Sequence, residues 1–143
     1  MQTAEGHSMF TWPVRVYYED TDLGGVVYYA NYLKFMERAR TEWLRSLGVD
    51  QSRLLDEAGL IFVIVSAQAR YIKPARFDDT LIVTARLESS RRTTMTFVQE
   101  IHRHALEGEV LVTGRVEAAC VEANGFRPRP IPVELLEKLE RAK

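Results

Sequence analysis

The residues best suited to chemistry lie in one acidic loop. Residues 17–32 read YYEDTDLGGVVYYANY and join a β-rich stretch to a helical one through a turn with two glycines. Asp22 thereby falls beside the amino end of a helix, where unsatisfied backbone N–H groups and the macrodipole favour negative charge. A carboxylate for proton or acyl chemistry and a donor site for an oxyanion are the two parts that carbonyl hydrolysis requires. Gly24 and Gly25 let a ligand approach the backbone closely. An apolar wall of Val26, Val27, Tyr28 and Tyr29 sharpens the basicity or nucleophilicity of a carboxylate. The plainer reading is that an Asp in an Asp-x-Gly-Gly turn bonds the local backbone or caps the next helix. Glu19 and Asp20 share the loop and are expected to point elsewhere.

Other reactive groups do not form a constellation. There is no Gly-x-Ser-x-Gly elbow, no Cys beside a His, and no phosphate-binding glycine loop. Cys120 falls in a strand and reads as a small core residue. His102 and His104 are two apart on a strand and share a face, yet solvated strand histidines are commoner than metal ligands. No metal or cofactor is expected. A hydrolase built on this sequence works with a lone carboxylate. Basic residues gather at loops, as Lys73 with Arg76, Arg91 with Arg92, and Arg127 with Arg129. Such tips are usually solvated surface, but if they converge on one groove they suit a polyphosphate.

The elements that must position Asp22 follow from periodicity. Residues 13–19 alternate Val14, Val16 and Tyr18 against Arg15 and Tyr17, which predicts a short strand. Residues 28–47 place Tyr32, Phe35, Met36, Ala39, Trp43 and Leu47 on one stripe of a long helix, with Arg38 and Glu42 able to pair on another face. Tyr28 and Tyr29 are expected to widen its buried surface, and Gly48 to close it. Residues 51–58 predict a short helix ended by Gly59. Strands are predicted over residues 61–72, 80–89, 94–104 and 109–122, the first with Val63, Val65, Ala67, Ala69 and Tyr71 on one side. Residues 133–141 predict a terminal helix introduced by Pro132. The order predicts an α+β architecture, a twisted antiparallel sheet wrapped around one apolar helix. Long edge strands then need covering, and side-by-side association of copies covers them.

The chain has 143 residues, 46% hydrophobic and 27% charged, with a formal net charge of −1. That fits one globular domain, expected over residues 13–143 behind a flexible leader of residues 1–12. The charge excludes a broadly basic nucleic-acid binder, and no apolar run reaches the ~20 residues of a membrane span. The leader has no apolar stretch of a secretory signal, and a single cysteine excludes an internal disulfide framework, so a cytoplasmic location is expected.

RVYYEDTD ending at Asp22, GGVVY at residues 24–28, ANYLKF at 30–35, ERARTE at 37–42 and YIKPA at 71–75 carry a resemblance. Through them the chain resembles the hot-dog-fold acyl-CoA thioesterases of the 4-hydroxybenzoyl-CoA thioesterase family, most of all the bacterial Tol–Pal-associated members. The likeness runs from residue 13 to the terminal helix. It implies a helix wrapped by an antiparallel sheet, and homodimers or homotetramers with active sites between subunits. It implies Asp22 as catalytic carboxylate, as nucleophile or as base for water, and the backbone N–H near Tyr29 as the group that polarises the thioester carbonyl. Gly25, Val27 and Asn31 would line the substrate, and Arg91, Arg92, Arg127 and Arg129 would surround the CoA nucleotide. Tol–Pal-associated members commonly carry histidine where this chain has Tyr29, and the hydroxybenzoyl branch carries tyrosine; that leaves the backbone donor as the contribution from this position. The substrate implied is an acyl-CoA or an acyl carrier protein thioester. Rival readings are an enoyl-thioester hydratase, which usually needs a histidine with the acid, and a non-catalytic acyl-CoA-binding or scaffolding subunit of an envelope or lipid-synthesis complex.

Overall fold

The computed structural model describes residues 9–143. Strand β1 (Phe10–Arg15) leads through a one-turn 3-10 helix (Tyr18–Asp20) and the acidic loop into α1 (Ala30–Ser46). Then follow α2 (Gln51–Ala58), β2 (Leu60–Tyr71), β3 (Thr80–Ser90), β4 (Thr94–Arg103), β5 (Val110–Glu122) and α3 (Val133–Arg141). The strands form one antiparallel sheet in the order β1-β3-β4-β5-β2, which leaves β1 and β2 as edges.

The first strand begins at Phe10, not at residue 13, because Phe10, Thr11 and Trp12 pair with Ala85, Thr84 and Val83 of β3. The expected leader therefore loses residues 10–12 to the sheet, and residues 1–8 lie outside the described residues. Pro13 is tolerated because β1 is an edge, where one missing N–H breaks no second ladder.

Helix α1 lies across the sheet with Tyr32, Phe35, Met36, Ala39, Trp43 and Leu44 buried. The stripe is the one its 3.6 period predicts, apart from Leu47, which is half-buried at the end. The approach is tightest at Gly114 of β5, where a Cβ would lie 2.7 Å from the Met36 thioether. Glycine there lets helix and sheet touch. Glu42 pairs with Arg45 and not with Arg38. Tyr28 and Tyr29 precede the helix and stay exposed, so they do not widen its buried face. Asp50 caps α2 by accepting from the N–H groups of Ser52 and Arg53 at 2.9 and 3.2 Å.

In β2 the pairing with β5 slips between Ile64 and Ser66, so Val65 is an extra, exposed residue. The expected face with both Val63 and Val65 is thus split by a bulge, and the residue packed on the core changes from Phe62 before it to Ala69 after it, while Ala67 stays exposed.

One charge is buried under α1. Arg40 is only 9% exposed, and its Nη1 donates to Gln99 Oε1 at 2.9 Å. Gln99 Nε2 donates in turn to the carbonyls of Met36 and Thr84 at 3.0 and 3.1 Å. Burial pulls the Arg40 guanidinium below its ordinary value, with nearby Glu37 opposing. Gln99→Leu removes the side-chain acceptor of that guanidinium and the donor to two carbonyls. It should lower stability by about 1.5–3 kcal/mol in urea melts, with a lower midpoint and an unchanged slope.

Candidate active site

The acidic loop is a tight hairpin laced to a second loop. Asp22 N–H donates to the Val26 carbonyl at 2.9 Å, and Gly25 N–H to the Asp22 carbonyl at 3.0 Å. Gly25 sits at φ +79, a left-handed conformation that side chains resist. Across the gap, Val27 N–H donates to the Ala75 carbonyl at 2.9 Å and Phe77 N–H to the Gly25 carbonyl at 3.4 Å. Ala75 N–H is held by the hydroxyl of Tyr32, on the first turn of α1, at 3.0 Å. The Tyr18 and Phe77 rings stack with centroids 3.9 Å apart.

Asp20, not singled out as functional, is buried and ties the loop together. Its Oδ2 accepts from Tyr17 N–H at 2.9 Å, and its carbonyl accepts from Tyr28 N–H and from Asn31 Nδ2, each at 2.9 Å. No sequence signal marks the bond to Asn31, because it joins residues 11 apart and its acceptor is a backbone carbonyl.

Asp22 is exposed. Its Oδ1 accepts from Gly24 N–H at 2.9 Å, so the local turn bond is real. Among the described residues Oδ2 has no hydrogen-bond partner, and it remains available. The same carboxylate therefore serves the turn with one oxygen and faces outward with the other.

The amino end of α1 supplies donors. Asn31 and Tyr32 N–H bond back to the Tyr28 and Tyr29 carbonyls at 2.9 and 3.2 Å. Among the described residues, nothing accepts from the N–H groups of Tyr29 or Ala30. One loop, residues 22–30, thus carries a carboxylate with an unpartnered oxygen and, at the start of α1, two amides without an acceptor among the described residues. Groups of these types, brought together on a substrate, can bind and cleave a polarised carbonyl. The Tyr29 ring is 58% exposed and meets Tyr71 edge-on at 6.0 Å.

The other predicted residues divide. Gly25 and Asn31 shape the loop through the bonds above. Val27, expected to wall a substrate slot, is instead in the core with Val14, Val16, Phe35 and Ala75. Its N–H is engaged by Ala75, which turns the side chain inward. Phe62 lines a cavity of about 140 Å³ between α1 and the sheet, with Leu44, Ile64 and Phe97.

Arg91, Arg92, Arg127 and Arg129 gather at the opposite end of the sheet. Ile131 N–H donates to the Arg92 carbonyl at 2.9 Å, and Arg129 N–H to the Cys120 carbonyl at 2.9 Å. Thr80, at the start of the 11-residue strand β3, is on the Asp22 side, while Ser90 leads into Arg91. At about 3.3 Å per residue the two ends are roughly 35 Å apart. Within one chain the arginines do not meet Asp22. The two histidines also separate: His102 is buried between Glu100 Oε1 at 2.8 Å and the Gly108 carbonyl at 3.3 Å, and His104 lies past the strand end. No metal-binding cluster occurs among the described residues.

Residues 16–139 match the thioesterase-like superfamily. The chain belongs to that superfamily. It is 44% identical over 126 residues to acyl-CoA thioesterase YbgC of Haemophilus influenzae, covering 88% of this chain and 90% of that one. It is 40% identical over 134 residues to acyl-CoA thioester hydrolase YbgC of Escherichia coli, covering 94% and 98%. Among solved structures, a probable thioesterase from Bartonella henselae superposes with a TM-score of 0.80 at 33% identity, covering 87% of this chain and 100% of that one. A 4-hydroxybenzoyl-CoA thioesterase mutant complexed with 4-hydroxybenzoyl-CoA gives a TM-score of 0.83 at 22% identity, covering 92% and 98%, a likeness of fold. The hot-dog thioesterase fold expected from the resemblance is thus the fold found.

Two of this thioesterase's four candidate nucleotide-binding arginines are already paired. Arg127 Nε reaches Glu122 Oε1 at 3.4 Å, and Arg129 Nη1 bonds Glu122 Oε2. Arg127 first, then Arg129, holds the Glu122 carboxyl below its ordinary 4.5. A depressed folded value makes the pairing stabilising above 4.5, with the contribution lost as pH falls through the depressed value. Glu122→Gln should therefore melt below the parent at about pH 7, with the gap narrowing in calorimetry as pH is taken below the ordinary 4.5.

Proposed function

We propose that this thioesterase hydrolyses acyl-CoA thioesters to the free acid and CoA. What supports the proposal is that one loop, residues 22–30, carries both the Asp22 oxygen left free by the Gly24 bond and the unaccepted amides of Tyr29 and Ala30. The names of relatives 40–44% identical favour acyl-CoA as the carrier. An acyl carrier protein presents the same thioester and is an alternative donor.

The thioester carbonyl oxygen would lie against the amides, where charge that develops on it is stabilised. Asp22 would then act by one of two routes. As nucleophile it adds to the carbonyl carbon, the C–S bond breaks, CoA leaves as thiolate and takes up a proton, and water cleaves the resulting anhydride. As base it takes a proton from the water that attacks. Either route gives the same products from the same two groups. Loss of one oxyanion donor of this kind costs about 2.7–4 kcal/mol of barrier.

The acyl group would rest beside the exposed Tyr29 ring and Tyr71, while Ile61 and Phe62, paired with Val121 and Cys120 at the arginine end, would reach it only from a second copy. We place the complete site between two copies. Pairing β2 with its symmetry mate continues the sheet and runs the two strands antiparallel, which brings the arginine end of the partner against this chain's Asp22 end. That arrangement unites groups one chain keeps apart, and a homodimer or a homotetramer built on it satisfies the reading. As part of the same proposal we assign the protein to the Tol–Pal-associated branch and to the cytoplasm, where its one cysteine, buried and free, suits a reducing compartment. No helix among the described residues is long and apolar enough to cross a membrane.

Asp22→Asn should abolish CoA release from a panel of short aliphatic to aromatic acyl-CoA thioesters while the oligomer stays folded; undiminished hydrolysis would refute the role. Replacing Arg91 and Arg92 with Ala should raise KM for acyl-CoA by about tenfold, the equivalent of a lost charged hydrogen bond. With an acylated pantetheine that lacks the nucleotide, KM should not change.

A further inference from the structure

Arg103, at the end of β4, makes no hydrogen bond to the acidic loop, yet it holds the loop to which that one is laced. Its three donor nitrogens are all engaged. Nε donates to Glu109 Oε1 at 2.7 Å, Nη2 to the Pro74 carbonyl at 2.9 Å, and Nη1 to Asp79 Oδ2. Asp79 Oδ2 also accepts from Arg76 N–H at 2.9 Å, and Lys73 Nζ closes the cluster on Glu109 Oε2 at 2.9 Å. The Arg103 and Asp79 side chains are 18% and 16% exposed, so solvent screens this pair far less than a surface one. Burial opposes the Arg103 charge, but the bonds to Glu109 and Asp79 outweigh it and raise its value.

Residues 73–79 are therefore gathered at both ends by one guanidinium. Between the gathered points lie Ala75, which accepts from Val27, and Phe77, which donates to Gly25. A guanidinium fork fixes direction as well as distance, since its planar donors reach three acceptors at once.

We infer that Arg103 is a positioning residue for the reaction: through Asp79 and the Pro74 carbonyl it fixes residues 75–77, and through them the placement of Asp22 relative to the Tyr29 and Ala30 amides. The inference rests on the function proposed above and adds to it a residue about 80 positions downstream of Asp22 and outside every motif. Its effect belongs in kcat, because the groups expected to hold CoA come from the partner copy and are not tied to residues 73–79.

Arg103→Met and Asp79→Asn test it with two readouts. In steady-state hydrolysis of acyl-CoA, each should lower kcat by about 10- to 100-fold with KM within about twofold, the penalty typical of a misplaced catalytic group. The double variant should lose no more than the worse single one, because both break one link. Arg103→Lys keeps the charge but loses the fork, and should fall between. In hydrogen exchange, which needs no substrate, amides of residues 21–29 should exchange faster in every variant while β4 and β5 amides keep their rates. If the parent hydrolyses no thioester but the exchange pattern holds, the function proposed above fails and the mechanical link stands. Lower melting temperature with unchanged kcat per folded molecule, or exchange raised evenly across the sheet, overturns the inference. Should Arg103→Met fail to fold, Asp79→Asn and Arg103→Lys give the same two readouts.

Discussion

The loop that carries Asp22 is held in place by backbone hydrogen bonds to a second loop far away in sequence. Residues 25–27 and 75–77 exchange N–H and carbonyl groups, and Tyr32 fastens the second loop to the first turn of α1. This gives a glycine-containing hairpin, which alone would sample many shapes, one orientation against the helix. In the proposed site, Asp22 works with amides at the start of α1 that have no acceptor among the described residues. A site that must stabilise developing charge gains from donors fixed before the substrate arrives, since no reorganisation is needed at the moment of reaction.

The rest of the fold supplies rigidity to those loops. The sheet holds β3 and β4 in register, so the ends at Thr80 and Arg103 are fixed points from which residues 73–79 can be held. Helix α1 is locked over the sheet by Met36 against Gly114 and by the buried Arg40–Gln99 bond, so its amino end does not shift. The core comes in two clusters, one under the first half of α1 with Val16 and Val27, the other under its second half with α3. The first cluster anchors the acidic loop through Val27, which explains why that side chain serves packing instead of substrate.

Much of this was legible in the sequence. The stripe of Tyr32, Phe35, Met36, Ala39 and Trp43 marks α1 because a 3.6 period admits no strand, and the alternating segments after it mark β3, β4 and β5. The loop of Asp22, Gly24 and Gly25 declared itself by residue types that local turn chemistry requires. What stayed hidden depends on contacts over long separations or on small irregularities. The bulge at Val65 reverses a face and leaves no compositional trace. Arg40 reads as a surface cation on a helix, and its burial follows from Gln99, 59 residues away. The arginine pairs read as loop tips that suit a polyphosphate only if they converge; strand direction brings Arg91, Arg92, Arg127 and Arg129 to one end, away from Asp22. Nothing local marks Arg103, Asp79 and Pro74 as a unit.

The most direct measurement is the backbone ¹⁵N–¹H spectrum during titration with a non-hydrolysable acyl-CoA analogue in which a ketone replaces the thioester. Hydrogen bonding of its carbonyl to the helix amino end should move the Tyr29 and Ala30 amide protons downfield more than any other amides. A saturating complex in which those two signals stay in place, with the large shifts elsewhere, would contradict the account.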